Sequence, residues 1–311
     1  MAQMKEGFCY KIFGMRIICD IELPELIVDI SRQIPDVTIK KAHLLEKWVD
    51  AAKNNPIYIV ERNLIMFKVP ELAIFCIQDG NRINYSPLSA GNNDQIRLYI
   101  LGTCMGALLN QRNSLPLHGS AVAINGKAYA IVGDSGAGKS TLASALINKG
   151  FPLLTDDVIA LKNNKDGHPL VLPAYPQQKL WENSLKEFKI DSANLSPLFE
   201  RETKFAVPIR EQFFNKPLPL AGIFELVTCE GEKVKLDSMN PLERLHVLFQ
   251  HTYRNLFIKR LGLREWHLQY TASFAKNIEM YRLTRPTSRF TASELATLIE
   301  ETVLKEELVH D

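Results

Sequence analysis

Gly133-Asp134-Ser135-Gly136-Ala137-Gly138-Lys139-Ser140 is the stretch on which the reading of this chain turns. It satisfies G-x-x-x-x-G-K-[ST] in full, the pattern of a loop that wraps phosphate. Its glycines let the backbone come close enough for N–H groups to point at phosphate oxygens. A helix predicted to begin at Ser140, with Thr141 next, adds its positive end. Lys139 is placed to reach the β- and γ-phosphates, and the Ser140 hydroxyl to ligate Mg2+. Residues 133–141 are therefore the expected site of ATP with Mg2+.

The flanks supply the strand and the helix that such a loop needs. HGSAVAI at 118–124 reads as a strand, Asn125-Gly126 as a hairpin turn, and KAYAIV at 127–132 as the returning strand. After the loop, a helix over about 140–149 stops at Gly150. FPLLT, VIALK and HPLVLP follow as strands. Asp156-Asp157 stands at the end of the first of them, where a strand–loop–helix–strand unit returns toward the phosphate loop. One carboxylate can hold Mg2+ and the other can take a proton from an attacking hydroxyl; the residues leave open which does which. His118 begins the hairpin strand about level with the start of the loop. There it can tune the acidic pair, assist proton transfer, or serve as a structural polar residue. Asp157 lies 18 residues after Lys139, a compact spacing that suggests a small kinase core. Hydrolysis, with water as the acceptor, stays open.

Outward from this core the patterns are those of packing. Residues 8–21 read as strand, turn at Gly14, and strand; IYIV, LIMFKV and LAIFCI between 57 and 77 continue a small, mostly antiparallel sheet. A short helix is expected within 41–53. A longer one over 94–112, capped by Asp94, opens the second part of the chain. The expected division is a β-rich domain at 1–93 and a catalytic domain at 94–311. Asn240, Pro241 and Glu243 start a helix with a stripe of Leu242, Leu245, Leu248, Phe249, Leu256 and Phe257. Thr291 and Glu294 start a last one with Leu295, Leu298, Ile299 and Val303 inward. His246 and His251, on the first of these two helices, read as structural or surface residues.

Composition narrows the class. There are 311 residues, 37 Lys plus Arg against 35 Asp plus Glu, a balance that gives no argument for nucleic acid. Five cysteines without a C-x-x-C pair argue against a zinc site or a disulfide scaffold. No stretch approaches the roughly 20 apolar residues of a membrane span. A cytoplasmic protein is expected, without a membrane partner.

His118-Gly119-Ser120, the loop GDSGAGKS and LINKGFPLLTDDVIAL at 146–161 together resemble the catalytic domain of bacterial HPr serine kinase/phosphatases. Residues 117–161 carry the resemblance. It implies an α/β fold with a mixed sheet: a P-loop kinase core of the HPr kinase/phosphoenolpyruvate carboxykinase-like type, beside the small, mostly-β N-terminal domain. By resemblance Asp156 is the general base, paired with His118; Lys139 serves the transferring phosphate; Asp157 joins Ser140 near the metal. YKIFGMRI at 10–17, YPQQKLWENSL at 175–185, PLPLAGIFEL at 217–226 and YRLTRP at 281–286 look like the HPr-kinase-like proteins of peptide-modification clusters. Members of that branch phosphorylate the C-terminal serine of a lasso-peptide precursor. The implied partner is thus a precursor peptide or small protein presenting a serine, and the family's rings imply a homo-oligomer. The glycine-rich second signature used for phosphorolysis is not found, which tells against phosphatase activity and against HPr as the substrate. A kinase of HPr, of another small protein or of a metabolite is the alternative, and a non-catalytic nucleotide-binding module is the alternative of another class.

Overall fold

In a computed structural model of the chain, residues 7–31, 33–52, 57–193, 195–198 and 201–310 are described. The chain forms two compact units: Met1–Pro116 with Tyr253–Gln269, and Leu117–Thr252 with Tyr270–Asp311.

In the first unit, β1 (Phe8–Ile12) and β2 (Met15–Cys19) form the hairpin expected around Gly14. Phe13 and Gly14 both have positive φ, 51° and 69°, a turn whose twist suits paired strands. β3 (Ile27–Val28), β4 (Val37–Lys41), β5 (Tyr58–Glu61), β6 (Leu64–Val69), β7 (Ala73–Gln78) and β8 (Arg82–Pro87) complete a sheet of order β3-β1-β2-β4-β8-β7-β6-β5. It is antiparallel except at β4, which pairs in parallel with β2 and with β8. Trp48 of α1 (Leu45–Ala51) packs with Ile59, Met66 and Ile74 on the sheet. The longer helix is present as α2 (Asn93–Tyr99) and α3 (Met105–Gln111), continuous through a π-helical turn at Ile100–Cys104. Asp94 lies inside its first turn rather than capping it, and its carboxylate accepts from Arg97 at 2.8 Å. This helix belongs to the first unit, whose contacts end at Pro116; the sequence reading had grouped 94–311 together.

The second unit begins with the expected hairpin. β9 (Leu115–Ile124) and β10 (Lys127–Val132) meet at Asn125 and Gly126, with φ 49° and 77°. The chain continues through α4 (Lys139–Asn148), β11 (Leu153–Thr155), β12 (Val158–Asn163), β13 (Pro169–Leu172), β14 (Gln177–Trp181), α5 (Glu182–Glu187), β15 (Pro197–Leu198), β16 (Arg201–Pro208), β17 (Leu218–Cys229), β18 (Lys235–Ser238) and α6 (Pro241–Gln250). After α7 (Leu256–Arg260) and α8 (Arg264–Asn277) it ends with β19 (Glu279–Pro286) and α9 (Ala292–His310). The main sheet has order β10-β9-β12-β13-β17-β19-β18, with β11 on β9, and β10 also bonds β17. β10, β17 and β19 run parallel while the hairpin partners are antiparallel, so the sheet is mixed. β14, β16 and β15 form a separate small sheet.

One core cluster of this unit ties two helices to the sheet. Leu142 and Leu146 of α4 and Leu295, Ile299 and Val303 of α9 meet Ile131, Phe224 and Leu283 of the three parallel strands. Each such side chain stabilises by about 1.5–3 kcal/mol when fully buried. This packing seats the start of α4, and so the phosphate loop, at the end of β10.

α6 has the expected capping box: Asn240 Oδ1 accepts from the N–H groups of Leu242 and Glu243, and Glu243 Oε2 accepts from Asn240 N–H. Its predicted stripe is altered. The helix ends at Gln250, and Leu242 is exposed while Val247, Leu248 and Arg244 are buried. Leu256 and Phe257 lie in α7, because the five residues 251–255 break the helical phase.

Candidate active site

The loop leaves β10 at Gly133, whose φ is 149°; a β-carbon there would stand 2.4 Å from the Leu226 carbonyl oxygen of β17. Only glycine allows that approach. Asp134, Ser135 and Gly136 are the exposed tip, and Ala137 turns inward. Gly138, at φ 106°, is the residue before α4. Lys139 is buried, and its ammonium donates to the carbonyls of Gly133 at 2.8 Å and Asp134 at 2.9 Å. It thus spans the loop as a brace. Burial pulls its pKa down, against the pull of Asp157 and Asp156. Thr141 is bonded to Ser184 of α5 at 2.8 Å.

The two aspartates form the turn between β11 and β12. Asp157 has φ 76°, a left-handed conformation that aspartate tolerates better than most residues. That single residue lets adjacent carboxylates reach one site. Asp156 is buried and accepts three hydrogen bonds: Oδ1 from Ser120 Oγ at 2.6 Å and from Ser140 Oγ at 2.9 Å, Oδ2 from Lys179 N–H at 2.9 Å. Asp157 keeps 24% of its side chain exposed. Lys179 Nζ bonds its Oδ2 at 2.8 Å, and His118 Nδ1 lies 3.6 Å from its Oδ1. Burial raises the Asp157 pKa, but Lys179, His118 and Lys204 outweigh it and hold the carboxyl well below the usual range. His118 lies beside the loop as expected, since Gly119 pairs with Val132. Burial lowers its pKa, with Asp157 acting the other way.

The predicted residues therefore converge at one place, but with different pairings. Ser140 is bonded to Asp156, and His118 adjoins Asp157. Their oxygens also suit the implied Mg2+. Neighbouring ligands of an octahedral Mg2+ at about 2.0–2.1 Å stand about 2.9 Å apart, the Ser140–Asp156 separation observed. Mg2+ takes one or two carboxylates plus phosphate and water, so a third acidic side chain is not needed.

Several participants lie in segments on which the resemblance rests but are not singled out there as site residues. Lys179 touches both aspartates, through its amide and its ammonium. A buried lysine is recognisable only once its carboxylate partner is placed. Ser120 sits in a strand whose alternation hides its role. Glu225, next to Leu226 on β17, accepts from Arg282 at 2.9 Å and lies 3.2 Å from His251 Nε2. His251, buried as a structural residue, accepts from His118 N–H through its carbonyl at 2.8 Å. Burial pushes the Glu225 pKa up, while His251 and Arg282 bring it below the ordinary value.

Residues 110–175, which hold the hairpin, the loop and the aspartate pair, match the family model of the HPr Serine kinase C-terminal domain. Over 91 residues the chain is 36% identical to the HPr kinase/phosphorylase of Burkholderia lata, covering 29% of this chain and 26% of that one. The figures for the HPr kinase/phosphorylase of Burkholderia cenocepacia are the same. The match thus spans about a quarter of the length of these curated relatives. The Hpr(Ser) kinase/phosphatase from Coxiella burnetii is similar at a TM-score of 0.35 and 16% identity, covering 62% of this chain and 98% of that chain. Among the described residues, no helix is long and apolar enough to cross a membrane.

Proposed function

We propose that this chain is a kinase that transfers the γ-phosphoryl group of ATP, with Mg2+, to a serine hydroxyl of a small protein such as HPr or of a peptide. The observation that carries this reading is the aspartate pair at the loop. One carboxylate is buried on Ser140, and its neighbour is turned toward solvent beside His118 and Lys179. In this reading the loop amides and Lys139 hold the triphosphate. Ser140 and Asp156 would hold Mg2+, which neutralises phosphate charge. Asp157 is the carboxylate an incoming hydroxyl can reach, so it orients that hydroxyl and accepts its proton. His118 and Lys179 fix Asp157 in place. This exchanges the aspartate roles that the resemblance implies.

The finer acceptor, the C-terminal serine of a lasso-peptide precursor in the cytoplasm, rests on the resemblance of 175–185, 217–226 and 281–286; the homo-oligomer belongs to the same reading. The test is intact-mass analysis of HPr and of a serine-terminated precursor peptide, each incubated with the chain, ATP and Mg2+. One acceptor is expected to gain one phosphoryl group, and Lys139→Ala to abolish the gain while circular dichroism stays unchanged. Nucleotide binding with no transfer to either acceptor and no ATP turnover would favour a regulatory nucleotide-binding module instead.

A further inference from the structure

Arg285 stands at the end of β19, with its side chain against the phosphate loop. Its Nε donates to the Ala137 carbonyl at 2.8 Å, and its Nη1 to the Pro286 carbonyl at 3.2 Å. A β-carbon on Gly138 would lie 3.6 Å from Nε and from Nη2, so the guanidinium plane rests on the loop residue just before Lys139. No carboxylate pairs with it among the described residues. The contrast with its neighbours is sharp: Arg282 is paired with Glu225 and Glu243, and Arg289 with Glu294. Burial lowers the Arg285 pKa, with no compensating anion.

Two physical consequences follow. A trans peptide points its C=O and its N–H in opposite directions. Holding the Ala137 carbonyl therefore aims the Gly138 N–H away from Arg285. The aim of that amide is set before any ligand arrives. Second, a partly buried cation without a counter-charge is unfavourable until an anion comes near. At a loop built for phosphate, the anion that approaches is the nucleotide's phosphate chain.

We propose that Arg285 is a loop-positioning residue of the phosphate site: through the Ala137–Gly138 peptide it fixes the aim of the Gly138 N–H, and its charge adds to the field at the phosphates from behind the loop. It acts on the phosphates of a nucleoside di- or triphosphate and less on a monophosphate. This rests on the nucleotide reading of the loop and not on the identity of the acceptor.

The experiment is calorimetric titration of the full chain with Mg-ATP, Mg-ADP and AMP, without acceptor, for wild type, Arg285→Gln and Arg285→Lys. A backbone hydrogen bond to a charged phosphate contributes enough to change affinity by about 10–100-fold, and it is this bond that Arg285 aims. Arg285→Gln is expected to weaken Mg-ATP and Mg-ADP by that factor and AMP much less. Arg285→Lys keeps the charge but loses the planar fork, so it should recover part of the loss. A purely structural role would weaken all three nucleotides alike, or only lower the melting temperature, and would overturn the proposal. So would wild-type affinity for Mg-ATP in folded Arg285→Gln. If Arg285→Gln does not fold, Arg285→Lys decides: unchanged affinity overturns the proposal, and a selective loss for di- and triphosphate supports it. Wild-type protein that binds no nucleotide would overturn the reading of the loop itself.

Discussion

Asp156 and Asp157 are adjacent in sequence yet meet different surroundings. Asp156 is 5% exposed and accepts from Ser120, Ser140 and the Lys179 amide. Little of it faces the solvent from which an acceptor hydroxyl comes. Asp157 is reached from solvent and held ionised by Lys179 and His118. Replacing Asp157 by Asn removes the proton acceptor of the proposed mechanism, and among the described residues no hydrogen bond ties Asp157 to the loop or to Ser140. Asp157→Asn is therefore expected to lower transfer by about 10²–10⁴-fold while changing Mg-ATP affinity only a few-fold. Asp156→Asn should instead shift the Mg2+ midpoint of activity upward. Paired magnesium titrations and single-turnover transfer rates check both. If the Asn variants show the reverse pattern, Asp156 is the base, as the resemblance implies, and Asp157 belongs with the metal.

At the scale of elements, the turn between β9 and β10 and the loop at 133–140 were legible because their signals are local. Asn125-Gly126 needs only its own φ values, and the glycines of the loop need only their neighbours. Gly119 shows where the local signal ends. In sequence it is one small residue between His118 and Ser120. In the hairpin, a β-carbon on it would stand 2.1 Å from the Ile131 carbonyl oxygen and 2.9 Å from Ile159 Cδ1. The strand partner must move to accept any side chain. Gly119→Ala is expected to destabilise by about 1–3 kcal/mol, the range for overpacking a close-packed interior. Urea unfolding followed by tryptophan fluorescence measures it; a midpoint equal to wild type would show that β9 and β10 separate at no cost. The role of Lys179 and the parallel pairing of β4 were not legible for the same reason. Both depend on which distant segment arrives beside them, and periodicity does not carry that information. The Leu242 stripe misled because its spacing is helical on both sides of a break at 251–255.

For the whole molecule, the discontinuity of the first unit is the feature the sequence does not announce. Composition does not change at 253 or at 269, so a linear reading assigns 94–311 to one domain. The packing of 253–269 argues otherwise. The Tyr253 ring would stand 2.5 Å from a β-carbon on Gly106 of α3, a contact that only glycine permits. Arg254 donates to Thr103 at 2.9 Å, and Phe257, fully buried, meets Tyr58 edge-on at 5.3 Å. Residues 7–116 alone would leave that apolar surface open and are expected to unfold without a cooperative transition. The remedy follows from the chain's own geometry. Tyr253 N–H donates to the Pro116 carbonyl at 2.8 Å, and Leu117 bridges Thr252 in antiparallel fashion. The two chain ends thus leave side by side, as the arms of a hairpin do, and a two-residue Asn-Gly turn is the short connection such arms accept. A chain of 7–116, Asn-Gly and 253–269 is expected to unfold cooperatively in urea, with dispersed amide resonances. If the joined chain is no more cooperative than 7–116 alone, the segment 253–269 does not complete the first unit in solution.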